Sequence, residues 1–240
     1  MIDGTSQKIQ QRLGEVGISC NAEQCELLAR HLQLVIEKNA VLNLTRIVDT
    51  DDAIEKHVVD SLLPLRYMPE LAQYDGKAVD IGTGGGFPGL PLAICGVAQW
   101  TLVDSVAKKA AAVQEFIQAL GLQGRARALG MRSEELARQE RGSYGLAVAR
   151  AVADSAVLIE YSTPLLADDG TLIIYKAKPE PAELEQAARA AEICGLELVS
   201  RETFESKSYS RELYIYKRAR EAQIQLPRRD GMATKRPLGK

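Results

Sequence analysis

"VDIGTGGGFPGLPLAI", residues 79–94, decides the fold. An apolar run ends at Ile81 and gives way at once to Gly82, Gly84, Gly85, Gly86 and Gly89, with Pro88 and Pro91 among them. Glycine lets the main chain turn at positive φ, and it lets a ligand lie directly against backbone amides. Pro88 is preset for a first helical turn, so a helix starting there points its amino end at that ligand. Asp104 follows 22 residues after Gly82 and closes the next apolar run. A carboxylate at such a strand end can accept both hydroxyls of an adenosine ribose.

Outward from the loop the chain alternates. Short apolar segments "KAVDI", "WTLVDS", "ARALG", "YGLAVARA" and "GTLIIYKA" predict strands. Between them, residues 88–95, "VAKKAAAVQEFIQALGL", "SEELARQ" and "DSAVLIEYSTPLL" predict helices. Strands this hydrophobic, separated by helices, predict a parallel sheet covered on both faces. Gly121 and Gly170 stand where helix ends or strand entries want positive φ. After a helix opened by Pro181, "ELVSRETF" and "RELYIYKRA" flank the polar turn "ESKSYS" and predict an antiparallel hairpin.

The first 70 residues read as helical. Asn21 and Gln24 form a capping-box pattern, and Cys25, Leu28, Leu32 and Val35 fall on one face. A second helix starts near Asp51 and carries Ile54, Val58, Leu62 and Leu65, with Pro64 and Pro69 at its fraying end. The expected organisation is an N-terminal helical cap (1–70), one α/β domain (71–218) and a basic tail (219–240).

The 240 residues are 46% hydrophobic and 26% charged, which suits a soluble globular chain with a sizeable core. No apolar run approaches the ~20 residues of a membrane span, and the amino end has no signal-peptide pattern. Four cysteines without a C-x-x-C pair, and only His31 and His57, argue against zinc and favour reduced thiols in a cytoplasmic protein. The net charge of −2 hides an asymmetry. From Lys217 to Lys240 eight basic residues face two acidic ones, a balance of +6, which leaves −8 for residues 1–216. That tail reads equally as a solvated, partly disordered end or as an extended arm along phosphates.

Two glycine-loop chemistries compete. The dinucleotide pattern G-x-G-x-x-G fails from Gly82, where Phe87 takes the third glycine's place, and succeeds from Gly84 only two residues beyond the strand. Asp80 before Gly82-x-Gly84-x-Gly86 fits instead the acid-x-G-x-G-x-G pattern of S-adenosylmethionine-dependent methyltransferases, and the closing hairpin is also theirs. The residues therefore favour a Rossmann-like methyltransferase with a seven-stranded, mostly parallel sheet. An NAD(P)-dependent oxidoreductase, a non-catalytic ribosome-assembly factor and a small-molecule methyltransferase remain the alternatives.

Several segments together narrow this further: "NLTRI" (43–47), "KHVVDSLL" (56–63), the glycine loop (79–94) and "TLVDSVAKKAAAVQEF" (101–116), then "MRSEEL" (131–136), "VARAVA" (148–153), "IIYKAK" (173–178) and "LPRRDGMATKRPLG". In order and over essentially the whole length, the chain resembles the bacterial ribosomal RNA small subunit methyltransferase G family, also called glucose-inhibited division protein B. The resemblance implies a cytoplasmic enzyme that methylates N7 of a guanine (527 in the usual numbering) in the 530 loop of 16S ribosomal RNA. Its cofactor would be S-adenosyl-L-methionine and its product S-adenosyl-L-homocysteine. Carried over, Gly82 and Phe87 contact the cofactor, Asp104 the ribose, Ser133 and Glu134 the adenine, and Arg150 the methyl-transfer region. Asp80, Gly84, Gly86 and Ser105 complete the expected cofactor set. Ser133 and Lys38 depart from the residues usual in relatives, a small apolar residue and a tryptophan respectively.

The expected substrate atom explains an absence. Enzymes that methylate an exocyclic amine carry an Asn or Asp before Pro-Pro-aromatic at the end of the fourth strand, and here that place reads Ala149-Arg150-Ala151. Guanine N7 offers its lone pair in the ring plane and loses no proton, so positioning can replace a general base. Donors should hold the base, since O6 and N7 both accept. Arg150, Arg132 and Lys176 are the candidates; Arg150 is assigned to O6, phosphate or the cofactor carboxylate, because a bond to N7 would block the reacting lone pair. Lys176 also reads as an ordinary strand-end lysine, and His57 with Asp60 either as part of a cap lying over the cofactor or as a helix-surface pair or satisfied buried histidine. Asn43 and Thr45 read as capping residues. Lys108, Lys109, Arg125, Arg127 and the tail are the expected phosphate contacts of a monomeric enzyme on ribosomal RNA or the small ribosomal subunit, with no metal and no membrane.

Overall fold

The computed structural model describes residues 2–47, 49–150, 153–206 and 209–240. The chain forms two compact units, Met1–Asp75 with Thr83–Gly130, and Gly76–Gly82 with Met131–Lys240. Seven strands make one sheet in the order β3-β2-β1-β4-β5-β7-β6.

The first unit contains α1 (Ile2–Glu15), α2 (Ala22–Leu42), α3 (Thr50–Ala53), a π-helical segment Ile54–Val59, α4 (Asp60–Tyr67) and a 3-10 turn Pro69–Gln73. After the glycine loop come α5 (Gly89–Cys95), β2 (Gln99–Val103), α6 (Ala107–Ala119) and β3 (Ala126–Leu129). Both halves of the Asn21/Gln24 capping box form, and Cys25, Leu28, Leu32 and Val35 are buried as their spacing predicts. The helix from Thr50 departs from simple periodicity. In the π segment the Asp60 N–H reaches back to the Glu55 carbonyl, and the widened turn shifts the inward face. His57, Val59, Asp60, Ser61 and Leu63 are buried beside Ile54, Val58 and Leu62, whereas Leu65 is only half-buried. Pro64 does not end this helix: its ring is buried, and its carbonyl accepts the Met68 N–H at 2.8 Å.

The second unit contains β1 (Lys77–Ile81), α7 (Ser133–Gln139), β4 (Tyr144–Arg150), α8 (Ser155–Ser162), β5 (Leu166–Lys176), α9 (Pro181–Cys194), β6 (Leu196–Glu205), β7 (Ser210–Arg218) and α10 (Met232–Lys235). β1 and β4 run parallel with Asp80 opposite Val148, and β4 and β5 run parallel with Arg150 opposite Tyr175. β7 lies antiparallel between β5 and β6, which is the expected hairpin. Ala151 of the predicted fourth strand, and residues 207 and 208 of the predicted turn, lie outside the described residues. Gly121 has the expected positive φ of +70°, but at the other site Asp169 takes it, at +58°. Gly170 is required for space: a Cβ there would stand 2.8 Å from the Ala167 carbonyl oxygen and 3.1 Å from that of Tyr144.

The tail is not a solvated end. Leu226 and Ala233 are buried, and Arg189 and Gln186 donate to the Gly239 and Leu238 carbonyls. Arg228 holds Glu160, itself 3% exposed, with Nε to Oε1 at 2.7 Å and Nη2 on the other oxygen. Removing one partner of such a pair strands a buried charge and costs about 3–5 kcal/mol. Arg228→Ala should therefore lower the unfolding free energy by that order, read as a lower urea midpoint, and Arg228→Ala with Glu160→Gln should recover part of the loss.

Candidate active site

In the first unit the glycine loop is built around one carboxylate. The Gly84 N–H donates to Asp104 Oδ2 at 3.0 Å, and the Val106 N–H donates to Oδ1 at 2.8 Å. Thr83 N–H donates to the Val103 carbonyl, and the Thr83 carbonyl accepts from Gly86 and Phe87. β2 ends at Val103, so Asp104 is the first residue beyond the strand, with 8% of its surface exposed. Each carboxylate oxygen keeps lone-pair capacity for a ligand hydroxyl. Ser105 beside it is exposed.

The loop uses positive φ at Gly84 (+57°) and Gly86 (+91°), for two different reasons. A Cβ on Gly84 would meet nothing within 4 Å, so this stretch of main chain is bare on an open side. A Cβ on Gly86 would stand 2.7 Å from Leu90 Cδ1 and 3.1 Å from His31 Nε2. Gly86 thus lets the loop press onto the helical layer, and Gly84 leaves the backbone accessible.

That layer grips Phe87, whose ring is 6% exposed. His57 stacks on it at 4.6 Å between centroids and 11° between planes, and His31 lies 4.5 Å away at 34°. His31 Nε2 donates to the Gly85 carbonyl at 3.0 Å. His57 Nε2 and Thr45 Oγ1 share a hydrogen bond of 2.7 Å, and the Thr45 N–H donates to Asn39 Oδ1 at 2.8 Å. Asn43 is the C-cap of α2 in the left-handed conformation, its backbone N–H donating to the Asn39 carbonyl, and the capping expected of side chains in this turn falls to Thr45, whose Oγ1 accepts the Ile47 N–H at 3.0 Å. "NLTRI" and "KHVVDSLL" are therefore parts of one clamp on the glycine loop. The histidine-on-phenylalanine stack was not legible in sequence, because it joins residues 31, 57 and 87. The Phe87 side chain is enclosed by these imidazoles and anchors the loop.

In the second unit Asp80, fully buried, and Gly82, with φ of +72°, stand at the carboxyl end of β1. Half-buried Arg150 and Lys176 end β4 and β5. Lys176 is committed to Glu183 Oε1 at 2.6 Å, and that oxygen also accepts the Ser155 N–H and Oγ–H at 2.9 and 2.8 Å. This ion pair accords with the strand-end reading of Lys176. Burial pushes the Glu183 carboxyl up, but Lys176 and Ser155 prevail and hold it below its ordinary value. Arg132 is exposed at the N-cap of α7. Ser133 Oγ donates to Glu134 Oε2 at 3.3 Å, and Glu134 Oε1 accepts the Gly231 N–H at 2.9 Å. Glu134 thus ties the tail to α7, a role its sequence position did not signal. Among the expected phosphate contacts, Arg125 is occupied by the Gly96 carbonyl and Arg127 by Thr101.

Two outcomes follow. Gly86→Ala should collapse the loop's seat on the helical layer and cost about 1–3 kcal/mol by overpacking and strain, read as a lower melting temperature. A carboxylate with a depressed folded value contributes stability present above its unfolded value and lost as pH falls through the folded one. Lys176→Met should therefore destabilise the protein by about 1–3 kcal/mol at neutral pH, and the gap to wild type should close as pH drops below 4.5.

Comparison with known proteins places these features. The family model described as rRNA small subunit methyltransferase G matches residues 24–214. A Gloeobacter violaceus protein named Ribosomal RNA small subunit methyltransferase G is 40% identical over 232 residues, covering 94% of this chain and 90% of its own. Among solved structures, the B. subtilis M1A22 tRNA methyltransferase TrmK aligns with a TM-score of 0.53 at 13% identity, over 68% of this chain and 66% of its own. A Streptomyces coelicolor geranyl diphosphate C-methyltransferase, solved with S-adenosyl-L-homocysteine, aligns with a TM-score of 0.52 at 12% identity, over 63% and 73%. These two share the fold. With a family match spanning most of its length and a relative this similar end to end, the chain belongs to the rRNA small subunit methyltransferase G family.

Proposed function

We propose that this protein transfers the methyl group of S-adenosyl-L-methionine to N7 of a guanine in the 530 loop of 16S ribosomal RNA, position 527 in the usual numbering. The observation that carries the cofactor reading is the Asp104 carboxylate, fixed by two amides next to the bare main chain at Gly84. Family membership supplies the substrate class. The residues present in the first unit fit such a cofactor: Asp104 is an acceptor for ribose hydroxyls, and beside it lies a glycine backbone with no Cβ on its open side. When bound, the cofactor supplies an electrophilic methyl on a sulfonium.

This chain's own residues have a limited task. N7 methylation releases no proton, so no general base is required, and orientation of the base supplies the rate. Arg150, at the end of β4, is the donor we assign to O6, phosphate or the cofactor carboxylate. Ser133 and Glu134 are already engaged with each other and with Gly231, so we limit their adenine contact to main chain. Residues 1–70 act as a cap that holds the loop, residues 71–218 carry the transfer, and residues 219–240 add basic surface. We place the enzyme in the cytoplasm as a monomer; no helix among the described residues is long and apolar enough to cross a membrane.

RNA contact falls to exposed cations rather than to a free arm. Lys108, Arg229, Lys235 and Arg236 are exposed, while Arg228 is structural. Lys235→Ala and Arg236→Ala should each weaken RNA binding uniformly across sequences and lower the salt slope by about 1, with cofactor binding unchanged. Labelled methyl donor and small subunits lacking the modification test the reaction, with borohydride–aniline scission to locate N7-methylguanine. One cut, in the 530 loop, is expected; label on another base, or none on RNA, would overturn the reading. Arg150→Ala should lose methylation while retaining part of its cofactor affinity.

A further inference from the structure

We propose that Cys20 and Cys95 are a modification site, a thiol pair that closes to an intramolecular disulfide by exchange with a low-molecular-weight disulfide. The two Sγ atoms lie 3.2 Å apart although 75 positions separate the residues, and both thiols are free. A disulfide bond is about 2.05 Å long, so closure asks the two sulfurs to approach by about 1 Å. Cys20 precedes the N-cap of α2, and Cys95 is the last residue of α5, the helix that the glycine loop opens. A second contact already joins these segments, from Gln24 Nε2 to the Ile94 carbonyl.

Exposure and acidity divide the roles. Cys20 is half-buried and reachable, whereas Cys95 is 7% exposed. The hydrogen bond from Cys95 pulls the Cys20 thiol down, against the opposing effect of burial. Its neighbour Cys25 is pushed up to about 11 by burial and by Cys20, and Cys194 up to about 12 by burial. Thiolate chemistry therefore falls to Cys20. Its thiolate attacks one sulfur of the external disulfide, giving a mixed disulfide and expelling one thiolate. The hydrogen bond to Cys20, then burial, holds the Cys95 thiol well up, and capture of Cys20 removes the first of these causes. Cys95 then loses its proton and attacks the Cys20 sulfur, expelling the second thiolate. The protein dithiol is oxidised by two electrons, and the external disulfide is reduced to two thiols.

The crosslink would staple the entry of α2 to the helix of the glycine loop. It lies apart from the methyl-transfer reading and stands or falls independently of it. The full chain, equilibrated in glutathione buffers of rising oxidised-to-reduced ratio, then acid-quenched and alkylated, provides the test. Loss of two of the four thiols is expected, with a peptide joining Cys20 to Cys95 and a melting temperature raised by about 5 °C. Cys25→Ala should behave like wild type, and Cys20→Ser and Cys95→Ala should keep every remaining thiol. Four thiols surviving the most oxidising buffer, a stable glutathione adduct on Cys20, or a different pairing would each overturn the proposal.

Discussion

Two backbone amides, those of Gly84 and Val106, converge on the carboxylate of Asp104. This interaction fixes the end of β2 against the glycine loop and sets the direction in which the remaining lone pairs face. It also explains why the loop is bare where it is. Gly84 donates its N–H to the carboxylate while in a left-handed conformation, and its missing Cβ leaves the open side clear. Charge-assisted bonds of this kind are roughly twice as strong as neutral ones, so the carboxylate is oriented before any ligand arrives.

The second constraint is the clamp on Phe87. A glycine-rich loop loses more conformational freedom on folding than any other segment, and something must offset that cost. Here three separate stretches of the chain contribute: His31 from α2, Thr45 from the following turn, and His57 from the π-helical segment. His57 is buried in the π-helical segment together with Val58 and Val59. The N-terminal helices therefore do more than cover apolar surface. They hold the glycine loop in place through Phe87.

Much of this was legible in the sequence. Short apolar runs located the strands, the polar turn between two of them the hairpin, and Pro181 the start of the last long helix, because each of these signals is local in sequence. The Asn21/Gln24 cap was readable for the same reason, since all its atoms lie within four residues. What escaped were partnerships across long separations. Lys176 with Glu183, Glu134 with Gly231 and Arg228 with Glu160 depend on which elements become neighbours, and charge patterning along the chain cannot show that. The basic tail illustrates the cost: its arginines suggested phosphate, whereas Arg228 neutralises a buried carboxylate. Gly170 was misjudged on a finer point, since the glycine answers a close approach of main chain and Asp169 takes the positive φ.

The most direct test of the account is calorimetric titration of S-adenosyl-L-homocysteine into the wild-type protein and into Asp104→Asn. The substitution keeps the size of the side chain but replaces one acceptor oxygen with a donor. Loss of charged hydrogen bonds at about 1.5–3 kcal/mol predicts one site in the wild type and an affinity ten- to a hundredfold weaker in the variant, with unchanged circular dichroism. Equal affinities in the two proteins would contradict the central place given to Asp104.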